Sequence, residues 1–261
     1  MAKSTNQHSE EATSSQQERT CCPVVELRQY TVHPGKRDLL VELFDREFVE
    51  SQELLGMYVI GQFRDLHDPN RFVWLRGFRD MSKRREGLKA FYGGRVWKMH
   101  REAANATMID SDNVLLLRPA RPWSGFILEN TDRPQPDDKE IPGGLVVGTI
   151  YYLDTPADDD FVDFFERSLK SALNEAGASL SAYFVTESSV NNFPALPVRE
   201  GENVFIWFSS FRDQADYADH LAALANSRHW SAEVSEELAR RLKRKPEVLK
   251  LSPTRRSQLR G

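Results

Sequence analysis

A nine-residue stretch of this chain returns later in the sequence, identical at five of its positions. Phe72-Val73-Trp74-Leu75-Arg76-Gly77-Phe78-Arg79-Asp80 returns as Phe205-Ile206-Trp207-Phe208-Ser209-Ser210-Phe211-Arg212-Asp213, an offset of 133 positions. At the same offset Arg95-Val96-Trp97 becomes Arg228-His229-Trp230. Two tryptophan pairs, a Phe-Arg-Asp and an Arg-x-Trp in one unbroken register identify a duplicated unit. The period is too long for a solenoid, whose repeats run roughly 20–50 residues. The chain is therefore expected to fold as two units of one topology.

The order of elements in that unit follows from periodicity. Val24 to Val32 alternates apolar and polar residues, as a half-buried strand does, and Pro34-Gly35 ends it. Lys36 to Leu55 carries Leu40, Leu43, Phe44 and Phe48 at helical spacing, with Gly56 as its stop. Met57 to Phe63 and Arg71 to Phe78 form a hairpin about the Asp68-Pro69-Asn70 turn. Ser82 is placed to cap a helix through Phe91. Gly93-Gly94 breaks that helix, which resumes from Arg95 to Met108, and Val114 to Leu117 is the last strand. This is β-α-β-β-α-β, the ferredoxin-like order. The second copy repeats it, from Leu145 to Leu251. Expected boundaries are a disordered tail over 1–22, a first domain over 23–120, a linker over 121–143, a second domain over 144–253 and a loose basic tail over 254–261. A sheet with helices on one face leaves its other face bare, which is costly in water. The second copy's sheet is the economical cover. The expectation is an α+β fold in which two tandem repeats form a pseudo-dimeric barrel.

Composition excludes several classes. The net charge of −4 and the lack of an internal basic block argue against nucleic acid as a partner. No apolar run approaches the length of a membrane span. Two adjacent cysteines, Cys21 and Cys22, cannot form a disulfide framework, and they fit a reducing compartment such as the cytoplasm. No metal motif, Gly-rich phosphate loop or Gly-x-Ser-x-Gly is present, so no metal is expected, and no cofactor unless a haem is held by His100.

Val25-Glu26-Leu27-Arg28-Gln29-Tyr30-Thr31-Val32-His33-Pro34-Gly35-Lys36 resembles the opening motif of the NIPSNAP family, a strand carrying Glu, Arg and Tyr on alternate positions that runs into Pro-Gly-Lys. The resemblance continues through Gly61, the hairpin, Arg84-Arg85-Glu86 and Trp97, and spans roughly Val24 to Pro119. In the second copy the first strand lacks the Glu and Arg. Arg76 stands where members of that family often carry a tryptophan. The resemblance implies the dimeric α+β barrel superfamily. That superfamily holds cofactor-independent monooxygenases of aromatic substrates, haem-binding enzymes, small isomerases and lyases, and proteins with no known reaction.

Candidate site residues follow from strand geometry. Glu26, Arg28 and Tyr30 share one face of the first strand; Phe72, Trp74, Arg76 and Phe78 share one face of the third. Neighbouring strands would gather a carboxylate, two guanidiniums, a phenol and an indole. Such a group either grips an anionic or phenolic ligand or seals the contact between the half-barrels. Trp74 and Trp97 are candidate ligand contacts, or simply packing. Tyr30, His33 and His100 are candidates for proton transfer, with His100 also a candidate axial haem ligand. Three functions follow: an enzyme acting on a hydrophobic or aromatic small molecule, by cofactor-independent oxygenase-type or by isomerase- or lyase-like chemistry; a non-catalytic module that binds a ligand or a protein; or a haem protein. The duplication also predicts that one chain closes its own barrel, with further association open.

Overall fold

The computed structural model describes residues 20–128, 133–136, 138, 143–228, 230 and 232–261. The expected tail over 1–22 lies outside the described residues up to residue 19, as does His229.

Alternation writes both faces of each strand. In β1 (Val24–Val32) Val25 and Leu27 turn to one side, while Val24, Glu26, Arg28 and Tyr30 turn to the other. β2 (Tyr58–Asp65) and β3 (Arg71–Phe78) form the hairpin, and β5 (Val114–Pro119) completes the first unit. β6 (Leu145–Tyr152), β7 (Ser179–Thr186), β8 (Val204–Phe211) and β9 (Glu247–Pro253) repeat it. Within each unit the strands lie in the order β5-β1-β3-β2 and β9-β6-β8-β7. The units were expected to meet face to face. They also meet edge to edge, because β2 pairs with β9 and β5 with β7. That pairing satisfies backbone groups that a free edge would leave bare. The result is a closed eight-stranded barrel, with the short β4 (Met108–Asp110) appended to the end of β1.

The barrel interior is solid. Leu27, Val73, Leu75, Leu115, Ile150, Phe184, Ile206, Phe208 and Leu249 fill it from both units. Helices cover the outer faces, giving two further apolar layers, one per unit.

Several local expectations change. The first helix is not a continuous α-helix. It runs as α1 (Arg37–Leu43), a π-helical segment over Phe44–Phe48 and α2 (Val49–Glu53). The second unit breaks its first helix in the same way. A π turn closes i→i+5. Phe44 and Phe48, at its two ends, meet edge to face at 5.9 Å. The cap of α3 (Met81–Gly93) is Asp80, not Ser82, and its carboxylate accepts from Lys83 N at 2.7 Å. Asp213 does the same for α7 (Gln214–Asn226), which explains the Asp in the repeated Phe-Arg-Asp. α4 (Arg95–Asn105) ends before Met108, which belongs to β4. The other helices of the second unit are α5 (Asp159–Phe164), a π segment over Phe165–Leu169, α6 (Lys170–Glu175) and α8 (Ala232–Arg241).

The segment over 254–261, expected to be loose, is a strap across the first unit. Thr254, Arg256 and Ser257 are buried; Thr254 N bonds Gln62 O and Leu259 N bonds Ile60 O. Arg256 also pairs with Glu50. The start of the expected linker is the matching strap on the second unit: Tyr183 N bonds Ser124 O, and Phe126 packs on Phe184 and Phe208. Cys21 and Cys22, expected as thiols, are joined sulfur to sulfur, with Cys22 buried over Gly77, where a Cβ would collide with it.

Candidate functional site

Beneath the helices of the first unit lies a cavity of 120 Å³. Tyr30 and Trp74 form its sheet-side floor. Phe44 and Phe48 enter from the π segment, Gln52 from α2, and Phe91, Tyr92 and Trp97 from α3 and α4. Ser111 and Asn105 close one end, and Leu196 comes from the second unit. Both phenylalanines of the π segment therefore border the cavity.

Behind the floor sits a buried charge network. Glu26, Arg28, Arg76 and Arg84 are all 0% exposed. The Glu26 carboxylate accepts from Arg28 Nη1 at 2.8 Å, Arg76 Nη2 at 2.7 Å and Arg84 Nε at 2.7 Å. Arg28 Nε donates to the Tyr30 hydroxyl at 2.8 Å, and Arg76 Nη1 to Gln52 Oε1 at 2.8 Å. The Arg76 guanidinium lies 4.8 Å from the Trp74 ring centroid and that of Arg28 5.6 Å. Three guanidiniums thus face one carboxylate, an excess of two positive charges in a dry environment. Burial pushes the Glu26 carboxyl up, but Arg76, Arg28 and Arg84 together outweigh it and hold it well below the ordinary carboxylate range. Burial raises the Tyr30 phenol despite Arg28, so Tyr30 stays protonated. Its oxygen accepts from Arg28, which leaves its proton for another acceptor. The Trp74 indole N–H and Arg84 Nη2 are buried without a hydrogen-bond partner among the described residues. Orphaned donors of this kind call for an explanation.

Of the residues expected at the site, Tyr30, Trp74 and Trp97 line the cavity, and Glu26, Arg28 and Arg76 stand directly behind it. The network faces the helices of the first unit, and Arg84 extends it to Asn191 and Asn192 of the second unit. Two histidines fall away. His33 is exposed, in the turn after β1. His100 points to Glu47, 3.4 Å from its carboxylate, and does not line the cavity. Arg84, Gln52 and Tyr92 were missed. Arg84 carried a signal: with Leu88 and Phe91 it makes an i, i+4, i+7 row on the buried face of α3.

A haem does not fit these residues. Binding sites for cofactors and drug-sized ligands run to roughly 300–1,000 Å³, and no histidine borders this smaller space to serve as an axial ligand. Among the described residues no group of three or more His, Cys, Asp and Glu is placed to hold a metal ion, and no helix is long and apolar enough to cross a membrane.

Two ferredoxin-like units closing one barrel, with helices outside and a cavity beneath them, define a dimeric α+β barrel fold built within one chain. Residues 25–124 match the model of the NIPSNAP family. No curated protein matches the sequence. Among solved structures, the chain resembles a proposed monooxygenase of Fusobacterium nucleatum, at 11% identity and a TM-score of 0.54, over 89% of this chain and 93% of that one. A proposed monooxygenase of Lactobacillus acidophilus is similar, with 13% identity and a TM-score of 0.51 over 89% and 94%. A dye-decolorizing peroxidase of Bacteroides thetaiotaomicron aligns at 9% identity and a TM-score of 0.51 over 90% and 93%. These likenesses establish the fold.

Proposed function

We propose that the first unit binds a compact single-ring molecule through a phenolic or enolic oxygen and oxidises it with dioxygen, without a bound cofactor. The observation that carries this reading is Tyr30, a protonated phenol on the cavity floor whose oxygen is held by Arg28 within a network of excess positive charge. Size selects the ligand. An apolar cavity of about 150 Å³ accepts a benzene ring, so 120 Å³ suits one ring and excludes a fused system. Tyr30 donates to the ligand oxygen, and the buried cations favour its ionised form. Ionisation makes the ring electron-rich, the form that reduces dioxygen. For a phenol the balance is one ring C–H and the O–H lost, one oxygen atom gained to give a quinone, and the second oxygen released as water. Proposed monooxygenases among proteins of the same fold support this class.

A second reading, binding without turnover, is favoured by one observation: of the three candidates for proton transfer, the two histidines, His33 and His100, lie off the cavity.

Titration with 4-nitrophenol tests the reading, because its phenolate is yellow and its acid form is not. The expected result is yellow bound ligand at a pH where the free ligand is protonated, with Tyr30→Phe weakening affinity about tenfold, the value of one hydrogen bond near 1.4 kcal/mol. Colourless binding, or unchanged affinity in Tyr30→Phe, defeats the proposal. An oxygen electrode with simple phenols then separates turnover from binding alone.

A further inference from the structure

The two hairpins differ in what joins their strands. β2 and β3 are linked by the short turn 66–70, whereas β7 and β8 are linked by residues 187–203. This longer connection crosses to the first unit. Arg199 N bonds Val114 O, and Glu187 N bonds Leu116 O. Arg84 Nη1 donates to Asn191 Oδ1 and Asn192 Oδ1, both at 3.0 Å, and Asn192 Nδ2 donates to Met81 O. Phe193 stacks on Tyr92 at 6.1 Å, and Leu196 lines the cavity itself.

We infer that the β7–β8 connection is the lid of the first unit's cavity, that Leu196 sets the size of ring it admits, and that Arg84 latches the lid through Asn191 and Asn192. This rests on the reading that the cavity takes a ring, though not on Tyr30 or on oxidation. Each half then has a distinct part: the first builds the walls and the second supplies the cover. Arg84 has two roles at once, because Nε holds Glu26 while Nη1 holds the lid. Lid position and the charge network are linked through one side chain. Leu196 is half-buried on a connection without helix or strand, so its truncation opens space without disturbing the barrel.

Neutral rings provide the test, since they bypass any demand for an oxyanion. Toluene and naphthalene are titrated calorimetrically into the wild-type chain and Leu196→Ala. The wild type is expected to take toluene and discriminate at least tenfold against naphthalene; Leu196→Ala is expected to reverse that order. An unchanged preference overturns the inference, as does failure of both rings to bind either protein. Hydrogen exchange gives a ligand-free readout. Residues 187–203 are expected to exchange at least tenfold faster in the double variant Asn191→Ala, Asn192→Ala, which removes the acceptors and leaves Arg84 on Glu26, with the barrel strands unaffected. Equal rates across the lid, or acceleration spread evenly over the whole chain, overturn the latch. Toluene binding combined with a 4-nitrophenol result that ignores Tyr30 keeps the lid and sinks the proposed function alone.

Discussion

The two helix–sheet layers share a framework and differ in charge. β1 sets Arg28 opposite Trp74 as β6 sets Thr149 opposite Trp207, and this register aligns the halves residue by residue. Tyr30 answers to Tyr151, Phe44 to Phe165 and Trp74 to Trp207. Glu26, Arg28, Arg76 and Arg84 answer to Val147, Thr149, Ser209 and Tyr217, all buried. Both layers fold with the same caps and the same π turn. The topology therefore does not require the charges. Desolvating a carboxylate and three guanidiniums costs free energy that neutral residues of similar volume avoid. The second half shows what this unit looks like without that cost, and the first half's cavity is where the charges have something to act on.

The comparison breaks most visibly at Glu26. Glu26→Gln leaves three buried guanidiniums without their counter-charge and is expected to destabilise the fold by about 3–5 kcal/mol; denaturant unfolding measures it. The conservative change Val147→Thr, at the equivalent position, should cost far less. A small loss at Glu26 would mean that the network is already compensated by something else.

Asp45 sharpens the comparison with pH. It and Glu166 hold the same place in the two π segments. Glu166 accepts from Tyr183 and Arg121, whereas Asp45 lies under the strap, accepting from Gln62 at 3.3 Å and Thr254 at 3.1 Å. Burial pushes the Asp45 carboxyl up to about 6. Below pH 4 it is protonated in folded and unfolded chains alike. As pH rises from about 4 to 6 the unfolded chain ionises first, so this group's contribution to stability falls across that window and then levels. Asp45→Asn is expected to remove the fall and to gain on the order of 1–3 kcal/mol at neutral pH. Identical stability–pH curves for the two proteins would refute this.

The subtlest effect should come from making the first half resemble the second. The combined variant Glu26→Val, Arg28→Thr, Arg76→Ser, Arg84→Tyr removes the charges together, so stability is expected to stay within about 2 kcal/mol of wild type. Preference for an ionised phenol should vanish. A variant that still binds 4-nitrophenol as its phenolate would show that the charges do not tune the cavity.

Much of this was legible in the residues. The 133-residue offset carried the duplication, and period-two alternation carried the strands, because both depend on local pattern. Glu26, Arg28 and Tyr30 were placed on one face by the pleat alone. What was hidden depends on contacts remote in sequence. Arg84 looks like one more cation on a helix until Glu26, 58 positions away, accepts from it. The lid is a polar connection whose destination only the folded chain reveals. Thr254, Arg256 and Ser257 read as a solvated tail because no composition rule distinguishes a free polar segment from one held by backbone bonds to β2. The two histidines were singled out by residue type, and whether either borders the cavity is again set by contacts remote in sequence.

The two seams of the barrel have a consequence for how the molecule assembles. Pairing Phe63 with Pro253 joins residues separated by nearly the whole duplicated region, so this ladder cannot nucleate early. A lone half would present two sticky borders, those of β2 and β5, and another copy of itself would satisfy both. Severed halves should thus find one another and reconstitute the ring in trans, and the connection between them acts chiefly as a tether that raises their local concentration.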